Sequence, residues 1–514
     1  MKPSTFYVTT PIYYGTAKPH LGSLYSTLLA DVAARWNKLK GKEVFFLTGT
    51  DEHGQKIAQA AEKAGKEPQV FVDSFIPAYK DAWKAYNIEY DHFIRTTDTH
   101  HIKAVQQWLQ DLIDKGDIYK DFYKGWYCTP CETFVDTQDD APPCPSCGRA
   151  TQLVSEESYF FKLSKYQDRL LTFYEECPEF VIPRERLNEV ISFVKGGLKD
   201  LSISRTTVKW GIPFPGDPKH VVYVWADALN NYITGVGYGD PSKKAMFEKW
   251  WPANLHVMAK DILRFHAVYW PAFLMASNLA LPKHMLVHGW ITVNKQKMSK
   301  SFGNVVDPME LQATYGVDPV RYYLVRQMAV THDGDFSDTE LEQKIETDLA
   351  NDLGNLLNRT LSLSLRYDLE KVEAPDTWSP EAHELRNHAN AMLLAYCEAM
   401  DGCLYHQALG HVWKFINQTN AFFHAQEPWK LVKNDKAAFA DRIAATCHAL
   451  KTIGVILLPV MPDKMMVLLD ALGYSIIIQP GIDNIEQMAG AWCHVFTLKK
   501  IPTLFEKSGI AHGD

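Results

Sequence analysis

The fold is decided by the opening stretch Phe6-Tyr7-Val8-Thr9-Thr10, which runs through a loop holding Gly15 and Pro19 into Leu21-Gly22-Ser23-Leu24-Tyr25 and on to Trp36. The first five residues are β-branched or aromatic and read as a strand. After the loop, Leu21, Leu24, Tyr25, Leu28, Leu29, Val32 and Trp36 recur at i, i+3 and i+4, the rhythm of a helix with a buried face. Moving outward, Glu43-Val44-Phe45-Phe46-Leu47-Thr48 reads as a second strand closed by Gly49, and residues 55–64 as a second helix ending at Gly65. Strand alternating with helix predicts an α/β fold on a parallel sheet. Strand-like runs return at residues 221–225 and 255–259, each followed by a helical segment. The polar, turn-rich region between reads as an insertion that splits the sheet. From about Glu340 onward the rhythm is almost wholly helical, with loops near 374–380 and 426–428. The expected division is 1–115 and 221–339 for the two halves of the sheet domain, 116–220 for the insertion, and 340–514 for a helical domain with its tail.

Composition agrees with a multidomain globular chain. The 514 residues are 46% hydrophobic and 12% aromatic, enough for a sizeable core, and the length suggests roughly three or four domains. No charge-free apolar run reaches the ~20 residues of a membrane helix; the stretch 267–281 is shorter and is broken by Pro271. The N-terminus shows no signal-peptide core, so a cytoplasmic protein without membrane attachment is expected. The net charge of −8 gives no reason to expect nucleic acid. Nine cysteines in a large chain argue against a disulfide framework and for a reducing compartment.

Four of those cysteines, Cys128, Cys131, Cys144 and Cys147, form two C-x2-C pairs separated by twelve residues. Two-residue spacing lets both thiolates of a turn face one centre, and Gly148 permits the tight backbone of such a knuckle. Four thiolates suit one structural zinc ion with no open position; an iron–sulfur cluster is the alternative. Cys177, Cys397, Cys403, Cys447 and Cys493 are scattered among apolar neighbours and read as core.

Two short motifs carry nucleotide chemistry. Lys18-Pro19-His20-Leu21-Gly22-Ser23 lies where the first strand feeds its helix. A ligand of an open parallel sheet binds there, and free N–H groups at a helix start favour anions. His20 can hydrogen-bond phosphate, and Gly22 lets a flat base approach the backbone. Lys297-Met298-Ser299-Lys300-Ser301 is a cationic, anion-seeking loop. Each is unremarkable alone, as a helix start or a solvated charge run. Together they match the paired signatures of class I aminoacyl-tRNA synthetases.

Within that class the chain resembles the methionyl-tRNA synthetase family from Phe6 to the C-terminal region. The resemblance is carried by Thr9-Thr10-Pro11-Ile12-Tyr13-Tyr14, Gly49-Thr50-Asp51-Glu52-His53-Gly54, Tyr223-Val224-Trp225-Ala226-Asp227-Ala228, Lys260-Asp261-Ile262, Val287-His288-Gly289-Trp290 and Asn351-Asp352-Leu353-Gly354-Asn355. It implies a Rossmann-like catalytic domain, split by the zinc insertion and followed by an all-α anticodon-binding bundle. It implies ATP, accompanied by Mg2+, L-methionine and tRNA(Met), elongator and initiator, as substrates. By the same likeness, ATP would meet His20, Gly22, Ser23, Asp261, Gly289, Lys297, Ser299 and Lys300, with His20, Gly22, Lys297 and Lys300 catalytic. Methionine would meet Ile12, Tyr14, Asp51, Trp225, Ala228, Leu229, Tyr232, Ile262, His266 and Trp270, with Asp51 on its ammonium. Cys128, Cys131, Cys144 and Cys147 would hold the zinc. Asn355, Arg359 and Trp429 would read the anticodon.

Residue chemistry agrees with parts of this. Ile262, His266 and Trp270 stand at i, i+4 and i+8, one face of an α-helix, and a thioether needs aromatic walls plus a weak donor such as the Tyr14 hydroxyl or an N–H of His266. Trp429 suits base stacking, and Asn355 and Arg359 suit hydrogen bonding to exposed base edges. From Glu340 onward there are 15 Lys and Arg against 22 Asp and Glu, so RNA recognition there cannot rest on bulk charge. The insertion is expected to position the acceptor end of the tRNA. Ser23 stands where the family usually has a second histidine, so Ser23→His should raise ATP–pyrophosphate exchange. The short tail after the helical region leaves no room for the dimerisation domain that the family often appends, so a monomer is expected. The alternatives are another class I synthetase, a nucleotidyltransferase without tRNA, and a non-catalytic zinc-containing RNA-binding protein.

Overall fold

The computed structural model describes residues 4–129, 133–135, 141–145, 147–298, 304–488 and 492–506, with the backbone alone at 123, 124, 133, 134 and 297. Its central sheet has seven strands: β1 (Thr5–Thr9), β2 (Tyr13–Tyr14), β3 (Glu43–Asp51), β4 (His92–Arg95), β5 (Val181–Ile182), β6 (Leu255–Ala259) and β7 (His284–His288). The order is β2-β3-β1-β6-β7-β5, with β4 also on β3, and every pairing is parallel. Such a sheet is covered on both faces, which is why Val8, Phe46, Leu47, Val257, Met258, Leu286 and Val287 are fully buried. From β1 the chain crosses to β3 on one side, while β6 lies on the other. That reversal opens a crevice at the carboxyl ends of β1 and β6.

Helix α1 (Leu21–Leu39) starts at the crevice. Sixteen of its nineteen residues are buried, more than an amphipathic surface helix would be, because the helical region covers its outer side. Trp36 at its far end donates Nε1–H to Asp401 at 2.7 Å and stands edge-on to Tyr396. Helices α2 (Gln55–Lys63) and α3 (Thr99–Asp114) follow on the sheet's first half.

The structure corrects the reading of residues 221–225. Only Val221–Val222 form a strand, and they pair antiparallel with Ser204–Arg205 outside the central sheet. Helix α4 (Val224–Ala228) begins immediately after, so Trp225 is helical. The run's β-branched and aromatic composition suits a strand, but a helix that must present Trp225 and Ala228 to one cavity overrides propensity. The insertion contributes an antiparallel sheet of Thr133–Val135, Ile118–Cys128, Gln152–Phe161 and Leu201–Ser202, in that order. The central sheet's edge strand β5 also comes from within 116–220, a long-range pairing that two residues of sequence do not reveal.

In the second half, a π-helical turn at Phe265–Tyr269 leads into α5 (Trp270–Ala276). The helical region contains α6 (Asn355–Arg366), α7 (Pro380–Asp401), α8 (Tyr405–Ala425), α9 (Pro428–Asn434) and α10 (Lys436–Leu457). Among the described residues no helix is long and apolar enough to cross a membrane. Of the five cysteines read as core, Cys403 and Cys447 are buried and Cys177 and Cys397 half-buried, but Cys493 is exposed. It lies in an irregular segment after the helices, where apolar neighbours in sequence do not imply burial.

Candidate functional site

A cavity of about 360 Å3 opens at the carboxyl ends of β1, β3, β6 and β7. Its lining includes Ile12, Tyr14, His20, Gly22, Ser23, Asp51, Trp225, Ala228, Leu229, Tyr232, Asp261, Ile262, His266 and Gly289, all singled out from sequence. It also includes Lys56, Asn231, His288 and Trp290, to which the sequence reading gives no role. A signal for the last two exists, since His288 and Trp290 flank Gly289 in one of the segments that carry the family resemblance. Lys56 and Asn231 carry no pattern of their own.

At one end of the cavity His20 caps α1. Its Nδ1 accepts from the N–H groups of Gly22 (3.0 Å) and Ser23 (3.4 Å). With Nδ1 accepting, the ring proton sits on Nε2, the atom that can donate to an anion at the helix terminus. Gly22 has a sharper requirement than an approaching base: a Cβ there would stand 2.9 Å from Cε1 of the His20 ring and push it off the cap. Met298 also lines the cavity, with its Cε 3.9 Å from where a Cβ on Gly22 would stand. Lys297 ends a short strand whose backbone alone is described; Ser299, Lys300 and Ser301 lie outside the described residues.

Beside the helix terminus, Gly289 allows close passage of the chain. A Cβ at 289 would meet the His332 carbonyl oxygen at 2.1 Å. Asp333 thereby accepts from the Trp290 backbone N–H (2.9 Å) and from Lys260 (2.7 Å), whose ammonium lies 4.2 Å from the Trp290 ring centre. Trp290 Nε1–H in turn points to Asp261 Oδ1 at 3.3 Å. His288 is buried and neutral, its pKa pushed down to about 4 by burial. Its Nδ1–H donates to the Gly289 carbonyl, and Nε2 accepts from the Ser26 hydroxyl of α1, both at 2.7 Å.

At the other end stand Asp51, at the tip of β3, and the aromatic wall. Trp225 stacks on Phe265 with ring centres 3.8 Å apart. His266 is buried, and desolvation pushes its pKa down to about 4, so it carries one ring proton. Nδ1 faces the Ile262 carbonyl at 2.9 Å and must hold that proton; Nε2 accepts from the Tyr232 hydroxyl at 2.7 Å. No N–H of His266 is left for a ligand, which corrects its reading as a donor to sulfur. Trp270 is also corrected. It is fully buried, is absent from the lining, and packs behind Tyr232 at 6.0 Å and against Trp251. The i+8 spacing presumes an α-helix, but the π turn at 265–269 rotates α5 off that face.

In the insertion, Cys128, Cys144 and Cys147 hold their sulfur atoms within 4.8 Å of one another, with Cys128 and Cys147 Sγ 3.7 Å apart. Thiolates at about 2.3 Å around a tetrahedral zinc stand about 3.8 Å from each other, so the three fit such an ion. The turn is closed by the Gly148 N–H on the Cys144 carbonyl, with φ of 70° at Gly148. Cys131 lies outside the described residues.

In the helical region, Arg359 on α6 donates to Asn420 Oδ1 at 2.6 Å, and its guanidinium lies 5.5 Å from the Phe423 ring on α8. Phe423 and His424 flank Trp429 at 6.3 and 6.0 Å. Trp429 is 36% exposed, and Asn355 lies on α6 one turn before Arg359, so the three predicted residues share one surface.

Residues 6–155 and 137–361 match the family described as tRNA synthetases class I (M), and residues 372–507 match the anticodon binding domain of methionyl tRNA ligase. The chain belongs to the methionyl-tRNA synthetase family. It is 47% identical to the methionine–tRNA ligase of Thermotoga maritima over 89% of its own length and 73% of that protein's. It is 44% identical to the Brucella suis methionine–tRNA ligase over 92% of both. Among solved methionyl-tRNA synthetases, that of Mycobacterium tuberculosis in complex with methionyl-adenylate superposes with a TM-score of 0.92 at 39% identity, covering 98% of this chain and 99% of that one. The free form from the same organism gives 0.84 at 36% identity, covering 98% of each. The family's parallel-sheet catalytic domain and helical anticodon domain are therefore the two bodies described above.

Proposed function

We propose that this chain activates methionine with ATP and charges tRNA(Met), elongator and initiator. A carboxylate oxygen of methionine attacks the α-phosphorus, and pyrophosphate leaves. A hydroxyl of the tRNA's terminal adenosine then attacks the acyl carbon, and AMP leaves. The observation that carries this reading is a single cavity with Asp51 and an apolar aromatic wall at one end and the His20-capped helix terminus at the other. An amino acid and a nucleotide can meet there in line.

In this reading Asp51 holds the substrate ammonium, and Ile12, Tyr14, Trp225, Ala228, Leu229, Tyr232, Ile262 and His266 surround the side chain. Trp270 supports Tyr232 from behind. His266 is committed to the Ile262 carbonyl and the Tyr232 hydroxyl, so it shapes the thioether's wall without donating to sulfur. His20, Gly22 and Ser23 receive the phosphates, Asp261 the ribose and Gly289 the base. Lys297 and Lys300 neutralise the leaving pyrophosphate, Ser299 donates a hydrogen bond to it, and Mg2+ accompanies ATP on its phosphates. His20→Ala should lower the activation rate about 10²–10³-fold, the usual loss for one preorganised donor. Gly22→Ala should reproduce much of that loss by displacing the ring; ATP–pyrophosphate exchange measures both.

Cys128, Cys144 and Cys147, with Cys131 as the fourth ligand, would hold a zinc ion that fixes the knuckle, a set of reduced thiolates suited to the cytoplasm. The division into 1–115, 116–220, 221–339 and 340–514 stands as the working domain scheme, with β5 returned to the catalytic sheet. Trp429 stacks on an anticodon base, while Asn355 and Arg359 bond its neighbours. Charging of a tRNA(Met) transcript tests this end. Trp429→Ala should raise KM for tRNA at least tenfold and leave KM for methionine unchanged; unchanged charging would remove Trp429 from the interface.

A further inference from the structure

Two of the segments that build the amino-acid pocket each contain a residue that does not touch the cavity: His53, two positions after Asp51, and Asp227, between Trp225 and Ala228. The fold brings these two together. Asp227 is fully buried, with Oδ2 2.7 Å from His53 Nδ1 and Oδ1 2.7 Å from His101 Nε2 of α3. A carboxylate offers only acceptors, so both imidazole atoms carry protons and donate. The other nitrogen of His101 lies 2.7 Å from the Thr234 hydroxyl. His53 is further held edge-on to Trp210, whose Nε1–H donates to the Glu52 carbonyl and whose own carbonyl accepts from Gly54 N–H.

We infer that Asp227 is a positioning residue for the amino-acid pocket, tying the Asp51 wall at the tip of β3 to the Trp225–Ala228 wall on α4. The inference rests on the reading that this cavity takes methionine. Two charge-assisted hydrogen bonds in a buried site are strong and directional, and removing one partner strands the other. A displacement of about 1 Å at a binding wall can cost on the order of 10²-fold, so loss of this tie should appear in binding of the amino acid. The ATP end is built instead on α1, β7 and the loop at 332–333, none of which Asp227 touches.

The test is ATP–pyrophosphate exchange with wild type, Asp227→Asn, His53→Ala and His53→Asn. Asp227→Asn keeps the shape but turns one acceptor into an N–H that faces another N–H. It should raise KM for methionine at least tenfold, with KM for ATP within twofold. His53→Ala should do the same, whereas His53→Asn puts an amide N–H where Nδ1 was and should restore KM to within threefold. Should Asp227→Asn not fold, the two His53 variants decide alone. A joint rise of both KM values, a loss confined to kcat, or no rescue by His53→Asn would overturn the inference in favour of a general structural role. Wild-type exchange that ignores methionine would overturn the functional reading as well; unmoved variants of a methionine-dependent wild type overturn this inference alone.

Discussion

Arg321→Ala should lower the unfolding free energy by about 3–5 kcal/mol, the range for stranding one partner of a buried ion pair. The guanidinium is fully buried and serves four acceptors: Asp31 Oδ2 of α1 (2.7 Å) and the carbonyls of Tyr86 (2.9 Å), Pro459 (3.0 Å) and Val460 (2.8 Å). It thus joins the first helix of the catalytic sheet to the segment after α10. Burial opposes the charge on Asp31, and Arg35 and then Arg321 bring its carboxyl below the usual range. Without Arg321, Asp31 keeps Arg35, but three buried carbonyls lose their donor at about 1–3 kcal/mol each before relaxation. Arg321→Lys should recover little, because one ammonium cannot span a planar four-acceptor site. Unfolding in urea at neutral pH checks this, and a loss below 1 kcal/mol would mean that the pair does not join the two regions.

Acid should destabilise the chain through its buried histidines before ordinary carboxylates titrate. His256, His266, His288 and His448 are all buried, and burial holds the first well below its ordinary pKa, the next two at about 4 and the last at about 3. The unfolded chain takes up these protons near pH 6.5, so the stability is present above that pH and is lost as pH falls below it. Each proton so excluded costs about 1.4 kcal/mol per pH unit below that pH, so the set should lose on the order of a few kcal/mol by pH 5. Asp318 acts oppositely. Burial raises its carboxyl to about 6, so it protonates in the folded chain first and offsets a small part of that loss as pH falls below 6. The loss from the buried histidines is on the order of several kcal/mol, a sizeable part of a domain's stability. Unfolding midpoints at pH 7.5, 6 and 5 measure it, and His448→Leu should flatten the slope by one proton. A flat profile to pH 5 would show that these histidines are charged in the folded state.

The residues that set β1, α1 and the first crossover are legible because burial there follows the 3.6-residue and strand patterns over many positions. The helical region from α6 onward is legible for the same reason. Residues 221–225 are not, since composition suited to a strand also suits a short helix whose ends are fixed by tertiary contact. Spacing misplaces Trp270 because it assumes a regular helix, and the π turn at 265–269 is set by packing. The donor capacity of His266 cannot be read from its position; it depends on what faces Nδ1, the Ile262 carbonyl of its own chain. The mild acidity speaks against nucleic acid, yet Arg359, Asn355 and Trp429 form a small placed surface that needs no bulk positive charge. Its salt dependence should accordingly be shallow.

The cavity at the ends of β1, β3, β6 and β7 should admit methionine beside ATP. ATP–pyrophosphate exchange, run separately with each of the twenty standard amino acids, tests it directly. The structure predicts exchange that depends on methionine and falls to background with the others. Exchange driven by a different amino acid, or none with any, would contradict it.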